Sequence, residues 1–103
     1  MKNRLKDRIA LVTGASSGIG EATALALAEQ GARVAIAARR KDRLDQLATK
    51  LAGLGAEPLV LVADLASEAE AQRVVKEAET HYGRLDILIN NAGVMYLEPV
   101  AEA

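Results

Sequence analysis

The sequence contains no cysteine and only one histidine, His81. Without cysteine the chain has no disulfide, no thiolate metal ligand and no cysteine nucleophile, and one histidine cannot build a histidine-cluster metal site. Phenylalanine and tryptophan are also absent, whereas 21 of the 103 residues are alanine. Small side chains let helices lie close to a sheet, so this composition favours a tightly layered α/β core.

The chain also lacks an excess of charge of either sign and any long apolar run. Thirteen basic and 14 acidic residues give a net charge of −1, which excludes a general attraction to nucleic acid or to an anionic membrane. The apolar run nearest the amino terminus covers only residues 9–12, too short for a signal peptide or a membrane span. We therefore expect a single soluble domain located in the cytoplasm.

Four short apolar runs predict buried strands at residues 8–13, 33–38, 58–63 and 85–90, with Pro58 opening the third. Helical patterns lie between them at residues 18–30, at 42–54 and after Ser67, and glycine follows each helix or closes it. The βαβαβαβ order predicts a parallel sheet with right-handed crossovers.

The third helix carries a start signal and a buried face. Ser67 and Glu70 have the spacing of a capping box, in which each side chain bonds the main-chain amide of the other residue. The positions expected to be buried are Ala71, Val74, Val75, Ala78 and Tyr82.

Three glycines separate the first strand from the first helix, at an edge of the sheet where α/β proteins bind ligands. The unpaired N–H groups of a helix start favour a phosphate there. Gly14 would allow the tight turn, Gly18 the approach of a pyrophosphate, and Gly20 close packing of the helix, while Ser16 and Ser17 add hydroxyl donors. The alternative is a glycine turn that serves packing alone. The spacing G-x-x-x-G-x-G differs both from G-x-G-x-x-G and from a P-loop.

The second strand ends in Arg39, Arg40 and Lys41, where a dinucleotide fold that binds NAD carries an acidic residue for the ribose. A guanidinium matches a 2′-phosphate, so the sequence indicates NADP(H) as the cofactor. The alternative is a solvated basic run, which the positive end of the helix dipole disfavours. Asp64 follows the third strand, where it could bind the adenine amino group or cap a turn.

Together these stretches resemble the short-chain dehydrogenase/reductase family. The family patterns are T-G-x-x-x-G-x-G after the first strand, an Asp after the third and N-N-A-G after the fourth. The residues that match them are 13–20, Asp64-Leu65 and 90–93.

The resemblance implies a Rossmann-type doubly wound parallel sheet with strand order 3-2-1-4, and it assigns the cofactor contacts. Its implied site comprises Gly14, Ser16, Gly18 and Ile19 at the phosphates, Arg39 with Arg40 at the 2′-phosphate, Asp64 and Leu65 at the adenine, and Asn91, Ala92 and Gly93 at the ribose nearest the nicotinamide.

The family's catalytic Ser and Tyr-x-x-x-Lys have no counterpart, because Asp86 follows Tyr82 and Val100 follows Tyr96 at that spacing. We therefore expect residues 1–103 to form the cofactor-binding half of an NADP(H)-dependent oxidoreductase, with no catalytic residue. The expected partners are a complementing catalytic half or a second copy paired along the apolar edge strand 85–90. The alternatives are a non-catalytic nucleotide-binding module and an inherited or engineered scaffold. A methyltransferase of similar fold is disfavoured, since no acidic residue ends the second strand.

Overall fold

The structure, a computed structural model, describes residues 4–91 of the chain. Its elements follow in the order β1 (Ile9–Thr13), α1 (Gly18–Glu29), β2 (Arg33–Ala38), α2 (Lys41–Gly53), β3 (Leu59–Val62), α3 (Glu68–Tyr82) and β4 (Ile87–Asn90). The expected alternation of strands and helices is confirmed. No helix within these residues combines the length and apolarity needed to cross a bilayer.

All four strands are parallel and form one sheet in the order β3-β2-β1-β4, as the resemblance implied. The register pairs Thr13 with Ala37 on one side and with Asn90 on the other, while Ala38 pairs with Val62. The carboxyl ends of the strands therefore lie level with one another along one edge of the sheet. This is the edge where the predicted site residues follow the strands.

Apolar side chains cover both faces of the sheet. Val12 and Ile36 point to the face that α1 and α2 cover, whereas Leu11 and Ala35 point to the face that α3 covers. Successive residues of β1 and β2 thus pack on opposite sides, which explains why these strands do not alternate with polar residues. The arrangement is that of a doubly wound α/β fold.

The capping box at the start of α3 is only half formed. Ser67 accepts from the main-chain N–H of Glu70 at 3.3 Å, as predicted. The return bond is absent, because the N–H of Ser67 donates to the carbonyl of Asp64 and the carboxylate of Glu70 binds Arg73 at 3.0 Å. Of the residues expected to be buried on α3, Ala71, Val74 and Ala78 are buried, while Val75 and Tyr82 are half-buried.

Besides β1, which begins one residue late at Ile9, two strands begin later than their apolar runs predict. Pro58 lies outside β3, which starts at Leu59. At the other edge, β4 starts at Ile87, and the carboxylate of the preceding Asp86 accepts the N–H of Ile9 at 2.8 Å. Neither shift changes which residues stand at the carboxyl ends of the strands.

Candidate functional site: the cleft at the carboxyl ends of β1, β2 and β3

A cleft of about 300 Å³ lies where β1, β2 and β3 end. It brings together predicted site residues that are up to 51 positions apart in the sequence, from Gly14 to Leu65. Its lining residues are Gly14, Ser16, Ala38, Arg39, Arg40, Ala63, Asp64, Leu65 and Ala66. Among them, the alanines leave room between the polar side chains.

The glycine turn places the start of α1 directly against the end of β1. Gly14 has a φ of 69°, a conformation that glycine adopts without strain, and its N–H donates to the carbonyl of Ala37 at 2.9 Å. A Cβ on Gly20 would stand 2.3 Å from the carbonyl oxygen of Gly14 and 2.9 Å from the Cα of Ala15. Gly20 therefore lets the helix rest on the turn itself, a closer contact than the helix-to-sheet packing that the sequence suggested.

Gly18 differs from Gly20, because a Cβ added to it would meet no atom within 4 Å. Packing inside the described part of the chain does not explain this glycine. Next to it, Ile19 exposes 74% of its surface although it is a large apolar residue. The helix start thus presents bare backbone and an apolar side chain to whatever approaches from outside.

The same turn holds three main-chain N–H groups that form no hydrogen bond within residues 4–91: those of Ser16, Gly18 and Ile19. The next two N–H groups of the helix are engaged by Ser17, whose hydroxyl accepts from Gly20 at 3.1 Å and whose carbonyl accepts from Glu21 at 2.9 Å. Unpaired donors at the positive end of a helix dipole are a favourable environment for an anion.

The two serines of the turn have different roles. Ser17 is the N-cap of α1, and its hydroxyl also donates to the carbonyl of Gly14 at 2.9 Å. That proton is therefore already used inside the turn. Ser16 lines the cleft, and its hydroxyl has no hydrogen-bond partner within the described residues. Ser16 is consequently the serine with a donor to spare.

The two arginines after β2 also differ, although both line the cleft. Arg40 donates from Nε and Nη2 to the two carboxylate oxygens of Asp42, each at 3.2 Å. These bonds raise the pKa of Arg40 and lower that of Asp42. Arg39 is exposed and forms no ion pair or side-chain hydrogen bond within residues 4–91. Its guanidinium is the uncommitted cation of the cleft.

Asp64 both lines the cleft and caps a turn. Its Oδ1 accepts from the N–H of Ala66 at 3.1 Å, which is the capping role that the sequence left open. The other carboxylate oxygen takes no part in that bond, so the cap does not exclude a contact with a ligand. Leu65 is half-buried and packs against the core on the α3 face.

Asn91 lies where β4 meets β1, away from the lining of the cleft. Its N–H donates to the carbonyl of Thr13 at 3.2 Å, and its side-chain nitrogen is buried without a partner within residues 4–91. Ala92 and Gly93 lie outside the described residues. Of the predicted set, the cleft lining brings together Gly14, Ser16, Arg39, Arg40, Asp64 and Leu65. Ser17, Gly18, Ile19 and Gly20 follow at the start of α1 without lining the cleft, and Asn91 lies at the neighbouring strand.

Sequence reasoning assigned no role to two residues beside the cleft, neither of which lines it. Thr13 is fully buried, and its hydroxyl lies 3.2 Å from the carbonyl of Ile89 and 3.3 Å from the N–H of Asn91. The sequence signal for Thr13 was its position as the one polar residue at the end of an apolar strand. Asp42 was missed because an acidic residue in the first turn of a helix has an ordinary explanation in the helix dipole.

A second cavity, of about 800 Å³, lies along α3 beside the edge strand β3. Arg73 lines it and is already bound to Glu70, to Glu77 and to the carbonyl of Val62 at 2.8 to 3.0 Å. We favour the smaller cleft as the functional site because it lies at the carboxyl ends of the strands, beside the unpaired main-chain donors of the glycine turn. Within residues 4–91, no cluster of acidic or histidine side chains could hold a metal ion.

The profile of the short chain dehydrogenase family matches residues 8–103. The chain is 44% identical over 100 residues to glycine betaine reductase ATRR of Emericella nidulans, covering 97% of this chain and 8% of that protein. It is 46% identical over 91 residues to 11-beta-hydroxysteroid dehydrogenase 1A of Arabidopsis thaliana, covering 87% and 26%. The chain spans less than a tenth of the length of the first of these curated relatives and about a quarter of the second.

The fold matches solved structures of the same family. A short-chain dehydrogenase/reductase of Serratia marcescens, solved as a mutant form, superposes with a TM-score of 0.82 at 41% sequence identity. The match covers 96% of this chain and 41% of that one. The agreement extends over nearly the whole chain and therefore includes the sheet edge that carries the cleft.

Proposed function

The chain belongs to the short-chain dehydrogenase family, and we propose that it binds NADP(H) for hydride transfer in an oxidoreductase of that family. Members of the family bind a nicotinamide dinucleotide. The observation that carries the proposal is the meeting of three unpaired main-chain donors and an uncommitted guanidinium at one edge of the sheet. These are donors for two separate phosphate groups of one molecule.

The glycine turn would hold the pyrophosphate. The N–H groups of Ser16, Gly18 and Ile19 are unpaired, and the space beside Gly18 is open to a ligand. A side chain at position 18 would stand between the ligand and these donors. The helix dipole adds to their attraction because they are at the amino end of α1.

Arg39 would bind the 2′-phosphate that distinguishes NADP(H) from NAD(H). A guanidinium can bind such a phosphate through two parallel charge-assisted hydrogen bonds. Arg40 lines the same cleft, and the ordinary NAD-binding carboxylate is missing from the end of β2. The free oxygen of Asp64 and the side chain of Leu65 would contact the adenine, and residues 91–93 the ribose nearest the nicotinamide.

In the whole protein the nicotinamide would exchange a hydride with a carbonyl or alcohol substrate. This chain contributes no proton-transfer group, because Tyr-x-x-x-Lys does not occur in its 103 residues. Burial raises the pKa of Tyr82 to about 12, and its hydroxyl donates to the carbonyl of Glu57 at 2.7 Å. Tyr82 is therefore protonated and engaged at neutral pH. The residues of this chain bind and orient the dinucleotide.

The edge strand β4 supports a proposal about partners. Within the described residues, β4 pairs with β1 alone, and its apolar residues Ile87, Leu88 and Ile89 are only half-buried. We expect a second copy or a complementing catalytic half to pair there, and we expect the protein to work in the cytoplasm. Sedimentation should show association that increases with concentration. A strict monomer with a sharp melt at high temperature would contradict this.

Calorimetric titration with NADP+ and NAD+ tests the proposed cofactor. We expect tighter binding of NADP+, and we expect Arg39→Gln to weaken NADP+ binding by about ten- to hundredfold because it removes charged hydrogen bonds. Arg43→Gln, an exposed arginine on α2 outside the cleft lining, is the matched control and should change little. Equal affinities for the two dinucleotides in the native chain would overturn the assignment.

A further inference from the structure

The two neighbouring arginines of the cleft are in different electrostatic states. Arg39 has no anionic partner within residues 4–91, whereas Nε and Nη2 of Arg40 donate hydrogen bonds to the two carboxylate oxygens of Asp42. A carboxylate and a phosphate both fit this side of a guanidinium, so they compete for it. The 2′-phosphate would therefore meet one free arginine and one that already has a partner.

The pair between Arg40 and Asp42 is exposed, and its carboxylate can be removed without disturbing the core. Asp42 lies in the first turn of α2, where the helix dipole favours a negative charge. Both side chains are more than 60% exposed, and exposed pairs of this kind contribute little net free energy. Removing the carboxylate should release the guanidinium without unfolding the helix.

We infer that Asp42 limits the recognition of the 2′-phosphate by occupying Arg40, so that Arg39 alone reads this phosphate in the native chain. The inference rests on the proposed function. Asp42 acts by competing for the guanidinium of Arg40, whose Nε and Nη2 it already occupies. Asp42 is thus a specificity-determining residue that touches no substrate.

This assignment makes the two arginines unequal. In the native chain, Arg39→Gln should remove most of the preference for NADP+, while Arg40→Gln should change it little. In an Asp42→Asn background, Arg40 becomes available and its substitution should matter. The two arginines are adjacent and line the same cleft, so their position alone gives no reason for unequal effects. The carboxylate of Asp42 provides that reason.

The test is a calorimetric comparison of NADP+ and NAD+ binding in four variants: Asp42→Asn, Asp45→Asn, Arg40→Gln, and Asp42→Asn combined with Arg40→Gln. Asp45 is the matched control, because it loses the same charge on the same helix but pairs with Lys41 at 2.7 Å. Asp42→Asn should tighten NADP+ binding about two- to fivefold and leave NAD+ binding unchanged. Asp45→Asn should have no such effect, and the double variant should lose the gain.

The outcomes separate this inference from the proposed function. If the native chain prefers NADP+ and Arg39→Gln abolishes the preference, the proposed function holds. The inference nevertheless fails if Asp42→Asn behaves like Asp45→Asn, weakens binding, or keeps its gain in the double variant. If the native chain and Asp42→Asn both bind the two dinucleotides equally, both fail. Asp42→Ser, which removes both oxygens of the carboxylate, checks that a residual bond from asparagine does not hide the effect.

Discussion

The two ends of the sheet use their polar groups in opposite ways. At the amino end, Asp86 accepts from the N–H of Ile9 at 2.8 Å and from Nε of Arg84 at 3.0 Å. Tyr82 donates to the carbonyl of Glu57 at 2.7 Å, so the end of α3 is tied to the segment before β3. These groups satisfy one another and join elements that are distant in the sequence.

At the carboxyl end, Thr13, Arg40 and Asp64 are paired, but a second set of polar groups has no partner within residues 4–91. They are the main-chain donors of Ser16, Gly18 and Ile19, the hydroxyl of Ser16 and the guanidinium of Arg39. Since all four strands are parallel, the two ends of the sheet are chemically distinct. The difference is what we expect if the amino end serves stability and the carboxyl end holds the proposed dinucleotide.

The two glycines of the carboxyl end should separate these roles most strongly. Gly20→Ala places a Cβ against the carbonyl of Gly14 and should lower the free energy of unfolding by about 2 to 3 kcal/mol. The Cβ of Gly18→Ala meets no atom of residues 4–91 within 4 Å, so this variant should not lower stability yet should weaken NADP+ binding by about tenfold or more. Urea unfolding measures the stability of the two variants, and calorimetry measures their binding of NADP+. Equal stability losses in the two variants would remove the distinction.

Thr13→Val tests the junction between β1 and β4. The hydroxyl is buried and bonded to the end of β4, so its loss should lower the free energy of unfolding by about 1 to 2 kcal/mol. Thr23→Val is the control, since that exposed hydroxyl bonds only the carbonyl of Ile19 within α1. Urea denaturation of the two variants should show a clear difference. A loss no greater than that of Thr23→Val would contradict this role.

Tyr82→Phe should affect the amino end alone. It keeps the ring beside His81 but removes the bond to the carbonyl of Glu57, at a cost of about 1 kcal/mol. Because folding raises the pKa of Tyr82 to about 12, the native chain should lose this tyrosine's contribution between about pH 10 and 12. The two unfolding curves should therefore converge in that range, while NADP+ binding at neutral pH is unaffected. Weaker NADP+ binding by the variant would show that the two ends are coupled.

Asp86→Asn should give the smallest effect and a defined pH dependence. The N–H of Ile9, followed by Arg84, lowers the pKa of Asp86 in the folded chain. Because its pKa is lowered, the charged carboxylate stabilises the fold at pH values above about 4, the ordinary pKa of an aspartate. This stabilisation is lost as the pH falls further. Thermal melts should show a slightly lower melting temperature for the variant than for the native chain at neutral pH. At low pH the two melting temperatures should be the same. A constant difference at every pH would refute the linkage.

The sequence was sufficient for the elements and for the edge that carries the site. The apolar runs and the glycines that end the helices predict every strand and helix, because burial and backbone conformation are read from local residues. The adjacency of Gly14, Arg39 and Asp64 also follows, since strands that run in parallel end at one edge.

The pairings of polar side chains could not be predicted, because several partners are equally close in sequence. Glu70 can reach back to Ser67 or forward to Arg73, and the structure has it bind Arg73. Likewise, nothing in the run of basic residues at 39–41 tells which arginine binds Asp42. Such choices depend on side-chain rotamers and on the competing donors of the folded chain.

The most direct test of the central claim is a titration of the isotope-labelled chain with NADP+, followed by the amide signals in two-dimensional NMR spectra. We predict that the signals of Ser16, Gly18, Ile19 and Arg39 shift progressively to saturation, while those of Ile9 and Asp86 stay in place. Saturation by NADP+ without movement of the glycine-turn signals, or largest shifts at the amino end of the sheet, would contradict binding of the dinucleotide at the glycine turn.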